Sequence, residues 1–572
     1  MKTVRTAGLT RMSKKHRNTT NLDIVYEYHD QTKHQLQRYA RSLGYMDWKN
    51  QPDPFRRYDQ SLILPLDHPH STETPSYDSL FETYQTPAAL INRDSISRLF
   101  YESLAISAWK QAGGNRWSLR VNPSSGNLHP TEAYLITGPI QDLSEVTAVY
   151  HYSAYEHALE RRVILTKEEW RALSNELPPD FLLISLTSIY WRESWKYGER
   201  AFRYCHHDVG HAIGAVTFAA AALGWKTRLI HCVTDTDLAT LLGLHQQEGI
   251  ETEHPDCLLA IYPFVTDRTW TDPIIDLPVA LLERLKTTEF EGSPNVLSNE
   301  HHDWSIIEHV AKACRFNSPR PLHHEQHSRI EHNLKDEFDA DRRVSARRII
   351  RERRSALAMD GHGTISSNTF YRMLMHVIPY GGNNIMEVLP WRACVSLAIF
   401  IHRVDDLPAG LYMLVRDPAH EASFKKALRS GLCWEKPEGC PKMLPLYQLQ
   451  ATDACEVAKI ISCHQDIAAD GAFALGMLAA FDASLAQHGA LFYPRLFWET
   501  GLIGQILYLE AEAAGIRSTG IGCFFDDVMH EVLGISDHSW QSLYHFTVGA
   551  PVDDSRLQPL PAYWHLNRNQ TG

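Results

Sequence analysis

The chain has 572 residues, too many for one ordinary core, so two or more domains are expected. It is 44% hydrophobic and 22% charged, the balance of a globular protein, and no apolar run reaches the length of a membrane helix. A net charge of -12 argues against nucleic acid as the main partner, and ten scattered cysteines without a CxxC pair suit a reducing, cytoplasmic setting.

In chain order, residues 1–20 carry Lys2, Arg5, Arg11, Lys14, Lys15 and Arg17 and no acid, which reads as a flexible start without a secretory core. The run Ser118 to Glu132 is a polar loop broken by Pro123 and Gly126, followed by an apolar strand, Ala133 to Thr137. Its serines and Asn127 can present donors and acceptors to a flat heterocycle. The same residues also read as ordinary turn chemistry. A strand at Tyr150–Tyr152 follows. Two histidine-rich sets then suggest metal: Cys205, His206, His207, Asp208 and His211, and later His323, His324, His327 and His332. Neither spacing supplies a complete ligand framework, so no metal is expected.

The chain is written twice. Slid by 291 positions, Gly210 falls on Gly501, Gly224 on Gly515, Cys232 on Cys523, Asp235 on Asp526 and Gly243 on Gly534. The shared pattern is an apolar helix, Val209–Leu223 or Thr500–Ala514, stopped by a glycine. A short strand, an acid-started helix and a closing strand follow, Leu258–Val265 or Tyr544–Val552. Upstream, Arg93-Asp94-Ser95 pairs with Arg353-Arg354-Ser355, and the strand Tyr134–Thr137 with Leu397–Ile401. The stretch 288–340 reads as a linker with one or two short helices. Arginines from Arg342 to Arg354 are expected on a solvated helix face. The expected units are therefore 21–287 and 341–572, packed as a pseudo-dimer.

These motifs resemble the nitroreductase superfamily, and within it the SagB/ThcOx type of dehydrogenase. The resemblance covers about residues 20–280 and 345–560. It rests on the Pro-Ser-Ser-Gly-Asn loop, Lys196-Tyr197-Gly198-Glu199-Arg200, the Arg-Arg-Ser start, Thr519 to Phe524, and Val548-Gly549-Ala550-Pro551. It implies an α+β fold in each unit, a central mostly antiparallel sheet with flanking helices. It also implies FMN held at the interface between two units. On that resemblance Arg353, Arg354 and Ser355 hold the flavin phosphate, with Arg556 adding to the clamp. Pro123, Ser124, Ser125 and Asn127 meet the ring from the other unit. Gly520, Ile521 and Gly522 run beside the ring, where glycine permits close approach. Lys196 and Tyr197 match the pair implicated in proton abstraction, and Arg200 and Arg203 stand near the lysine in sequence.

Each copy keeps only part of the set. The second has Asn383 to Val388 where the loop should be, and Gln487-His488 for Lys196-Tyr197. The first has Asp94 between Arg93 and Ser95, and Arg228 to His231 where the glycine strand should be. One composite FMN site per chain is therefore expected. The resemblance implies oxidation of a thiazoline or oxazoline to the azole, in a small molecule or a modified peptide. An NAD(P)H-dependent nitro or quinone reductase, and a non-catalytic scaffold in a peptide-modifying complex, are the alternatives. NAD(P)H as reductant, O2 as oxidant, peptide-cyclodehydratase partners and further dimerisation stay open. Neither nucleic acid nor membrane is expected as a partner.

Overall fold

A computed structural model describes residues 19–82, 85–174, 177–178, 180–264, 275, 277–317, 344–380 and 383–568. Each half is built on an antiparallel sheet. In the first, the strands run in the order Ile63–Pro65, Ala158–Ile164, Ala148–Ser153, Thr131–Thr137, Leu182–Ser188, His254–Pro263 and Trp225–Ile230. In the second they run Leu446–Ala451, Gly410–Leu414, Val395–Ile401, Phe473–Ala479, Gln541–Gly549 and Arg517–Ile521. The order is the same apart from the extra edge strand of the first half. The middle strands Leu182–Ser188 and Phe473–Ala479 are buried on both faces, which is why they read as apolar runs rather than alternating patterns.

The repeat is tighter than the sequence pattern indicated. Strand Leu182–Ser188 maps onto Phe473–Ala479, helix Tyr190–Tyr197 onto Phe481–His488, and helix Asp235–Leu242 onto Asp526–Leu533, all at the same 291-residue offset. Gly243 and Gly534 end the last pair in left-handed conformations, φ 78° and 82°, which favour glycine.

A long helix stands at the centre of each half, Ala201–Ala221 and Tyr493–Ala513. All of the first is buried, as a helix between two cores must be. It starts upstream of the predicted Val209 because its polar first turns find partners. His206 Nδ1 accepts from Trp498 Nε1 (3.2 Å), and His207 Nε2 bonds the Leu543 carbonyl (3.0 Å). Arg203 Nη1 donates to Asp526 (2.8 Å). The two helices cross at Gly210 and Gly501, the positions the repeat equates. A Cβ on Gly210 would lie 2.3 Å from the Trp498 carbonyl oxygen, and one on Gly501 2.3 Å from that of His207. Repeat-related residues meeting each other is the mark of a two-fold interface, here closed within one chain.

The termini cross between halves. Helix Asn21–Gln31 packs on the second half, with Tyr26 Oη donating to Asp482 (2.7 Å) and His29 Nε2 bonding Gln541 (3.1 Å). Strand Gln558–Leu560 pairs with Ile106–Ala112 of the first. Helix Ser305–Ala313 packs against Asn21–Gln31. The histidines 323–332 lie outside the described residues.

Two expectations need correction. Arg93-Asp94-Ser95 is not the counterpart of Arg353-Arg354-Ser355. It forms the first turn of helix Arg93–Tyr101, capped by Asn92, and the matching helix is Ser367–His376, capped by Ser366. Each packs on the central helix of its own half. Arg353 instead closes the shorter helix Ala346–Glu352. The arginines of that helix are not all solvated. Arg347 pairs with Glu102 and donates to the Ala222 carbonyl (2.9 Å), and Arg351 donates to the carbonyls of Tyr101 (2.7 Å) and Ile106 (3.0 Å). They satisfy the first half's chain ends, which sequence alone cannot reveal.

Candidate functional site

The Pro123–Asn127 loop is held in a conformation that residues other than glycine rarely adopt. Gly126, Asn127 and His129 all have positive φ, 57°, 59° and 51°. The side chains expected to face a ligand turn inward to hold it there. Asn127 Nδ2 donates to the Ser118 carbonyl (2.8 Å) and its Oδ1 bonds His129 Nε2 (3.0 Å). Ser124 Oγ accepts from the His129 amide (2.8 Å). The Asp208 carboxylate accepts from the Ser125 amide (3.0 Å) and hydroxyl (3.1 Å). Burial raises Asp208 to about 7, against the pull of those serine bonds.

The loop forms one wall of a cleft of about 420 Å³, a volume typical of cofactor sites. Both halves contribute. The first supplies Lys110, Trp117, Asn122 to Asn127, Tyr197 and Tyr204; the second supplies Arg353 to Leu357, Tyr508, Gly520 to Cys523 and Tyr544. The strand that carries Gly520 and Gly522 is close-packed by tyrosines. A Cβ on Gly520 would lie 1.9 Å from Tyr544 Oη, and one on Gly522 2.0 Å from Tyr204 Cε1. Tyr508 Oη accepts from the Gly520 amide (2.9 Å) and from Ser355 Oγ (3.0 Å). The Gly520 amide, a candidate to reach a ring, is thus occupied by the protein.

Cations gather at one end without matching acids. Arg353 is buried, its Nε and Nη2 donating to the carbonyls of Val121 (3.3 Å) and Arg120 (3.4 Å). Its Nη1 is buried with no hydrogen-bond partner. Desolvation lowers the Arg353 pKa, opposed by Tyr508 and Glu512. Arg354 is pushed down to about 10 by desolvation and then by Arg353 and Arg351. Lys110, which sequence reading missed, is lowered by burial and by Arg354 and Arg517. A buried donor without an acceptor and clustered like charges fit an anionic, planar cofactor such as FMN. Arg556 does not join them. It is exposed and paired with Asp554 (2.8 Å), outside the cleft lining.

Lys196 and Tyr197 end helix Tyr190–Tyr197 beside the loop. A Cβ on Gly126 would lie 2.6 Å from Tyr197 Oη and 3.0 Å from Lys196 Nζ, so only glycine lets the pair approach. Arg200 and Arg203 do not accompany the lysine. Both converge on the buried Asp526, at 2.9 and 2.8 Å. One turn before Lys196 lies Glu193, fully buried with neither carboxyl oxygen hydrogen-bonded. Desolvation, then Asp208, raises its pKa far above the carboxylate range, and Lys196 opposes. Glu193, Asp208, Lys110 and the four tyrosines went unnoticed in the sequence. Burial, not motif, marks them.

Residues 105–261 and 412–550 match the Nitroreductase family model, more than half of the chain. The chain belongs to the nitroreductase family. A family member from Methanocaldococcus jannaschii is 29% identical over 130 residues, 22% of this chain, which spans 64% of that relative's length. A crystal structure of a nitroreductase from Anabaena variabilis superposes with a TM-score of 0.65 at 21% identity, over 92% of this chain and 99% of that one. That likeness extends the fold across both halves of this nitroreductase-family chain.

The repeat-related position on the other side of this family member is filled by protein. Glu387 pairs with Arg228 (2.7 Å) and Lys226 (3.0 Å), which stand on the strand equivalent to the glycine strand. Phe81 stacks on His376 at 3.7 Å, nearly coplanar. A wider cavity of about 660 Å³ lies nearby, but its arginines have acids: Arg347 pairs with Glu102, and Arg98 with Asp94 (3.0 Å). Among the described residues no group of His, Cys, Asp and Glu could hold a metal ion, and no helix is long and apolar enough to cross a membrane.

Proposed function

We propose that the chain is an FMN-dependent oxidoreductase of the SagB/ThcOx type with one composite site. In this reading the units are residues 21–287 and 341–572, joined by 288–340, and they act in the cytoplasm. The observation that carries it is the convergence of the Pro123–Asn127 loop and Tyr197 from one half with Arg353–Ser355 and Gly520–Gly522 from the other around a single cleft.

FMN bound there supplies two-electron redox chemistry. The protein's part is positional and electrostatic. Arg353 Nη1 donates to an acceptor of the cofactor, and Lys110 and Arg354 balance its phosphate. Tyr508 fixes Ser355 and the Gly520 amide in place. Lys196 Nζ takes the proton from the ring carbon of a thiazoline or oxazoline, in a small molecule or a modified peptide, and Tyr197 orients that ring. Gly126 leaves the space for both side chains. O2 is the terminal oxidant in this reading, and a peptide cyclodehydratase is the natural partner, because it would produce the azoline.

The name of the archaeal relative supports a second reading, nitro or quinone reduction with NAD(P)H. One experiment separates them. The reconstituted protein is expected to hold one FMN per chain, and anaerobic mixing with an azoline to bleach it faster than NADH or NADPH does. Two FMN per chain would end the single-site reading, and bleaching by NAD(P)H alone would favour the reductase.

A further inference from the structure

Cys523 follows the glycine strand and lines the cleft. Cys463 lies in the turn after helix Cys455–Ile461, and the two side chains hydrogen-bond to one another. Their segments are clamped by the backbone. The Phe525 amide donates to the Ile461 carbonyl (2.7 Å), and Gln465 Nε2 bridges the carbonyls of Ser462 (2.8 Å) and Cys523 (3.1 Å). Cys463 and His464 both have positive φ, 55° and 60°, an arrangement kept only where surrounding contacts over-determine it. Both thiols are partly exposed. Cys232, the repeat counterpart of Cys523, instead donates to the Ile275 carbonyl (3.2 Å), so the thiol pair belongs to the half whose glycine strand is intact.

We propose that Cys463 and Cys523 form a redox-active dithiol in the cleft wall that reduces a low-molecular-weight disulfide, with Cys523 attacking and Cys463 resolving. The Cys523 thiolate attacks one sulfur of the disulfide, forming a mixed disulfide and releasing one thiolate. Cys463, deprotonated, attacks Cys523 Sγ, closing the intramolecular bond and releasing the second. Two electrons leave the protein dithiol and reduce one disulfide to two thiols. The surroundings favour the thiolate at Cys523. The hydrogen bond from Cys463 lowers its pKa most, and His34 and Arg200 lower it further against desolvation. Asp526 faces the same pocket, but Arg200 and Arg203 pair with it. Tyr39 and Tyr204 are the other titratable neighbours, both raised by burial and so neutral.

The test uses the full chain with bis(2-hydroxyethyl) disulfide, followed by acid quench, alkylation and peptide mass spectrometry. The expected product is a Cys463–Cys523 link with two mercaptoethanol released per chain. Cys463→Ser should instead trap a mixed disulfide on Cys523, and Cys523→Ser should give neither. Iodoacetamide alkylation of Cys523 should change less than about twofold between pH 6 and 8, where an ordinary thiol accelerates roughly 80-fold. A native chain that keeps Cys463 and Cys523 alkylatable, or stops at a mixed disulfide, would overturn the proposal. So would an ordinary pH dependence at Cys523.

Discussion

Arg353→Ala isolates the feature on which the composite site depends. The Arg353 guanidinium spends two nitrogens on long contacts to the first half, 3.3 and 3.4 Å, and keeps Nη1 buried and unpaired. A hydrogen bond from a charged group contributes about 1.5–3 kcal/mol, so losing one weakens binding roughly ten- to 150-fold. The apo protein should suffer little, because removing an uncompensated buried cation relieves its desolvation. The assay is fluorescence titration of apo protein with FMN and with riboflavin, beside a thermal melt. FMN affinity should fall by that factor, while riboflavin, which lacks the phosphate, binds parent and variant alike. An FMN affinity within twofold of the parent, with the melt unchanged, would show that Nη1 faces no ligand.

Gly522→Ala places a methyl 2.0 Å from Tyr204, so strand or ring must shift; flavin content should drop, and full occupancy in purified protein would refute the close-packed strand. Gly210→Ala should lower the melting temperature despite alanine's helix preference, because its Cβ meets backbone 2.3 Å away at the helix crossing and the halves must part. Lys196→Ala should spare flavin binding and abolish azoline oxidation, and unchanged turnover in single-turnover mixing would remove it as the base. Asp208 binds a proton in the native state up to about pH 7 and releases it near its ordinary 3.8 when unfolded. Stability should therefore fall as pH rises through that window, the cost being complete above pH 7. Denaturant titrations from pH 4 to 8 should show a flatter slope for Asp208→Asn than for the parent, and equal slopes would contradict the assignment.

The sequence alone determined the duplication, because an unbroken 291-residue frame survives wherever helix stops and strand patterns must be kept. It also determined which half retains each motif. Glycine at Gly210 and Gly501 was legible as a repeat match, but only packing gave the reason, since the two positions touch. Tertiary structure decided where polar groups go. Ser124, Ser125 and Asn127 look like ligand contacts in a string of letters, yet they hold their own loop. Arg200 and Arg203 look like neighbours of Lys196, yet helix geometry turns them to Asp526, from the other half. Arg93 resembles a phosphate clamp, but Asn92 caps it into a helix. Lys110, Glu193 and Asp208 carry no motif, and their chemistry comes from burial. Local pattern records which backbone conformations are needed. Desolvation and partner choice depend on residues hundreds of positions apart, and those exist only once the halves have closed on each other.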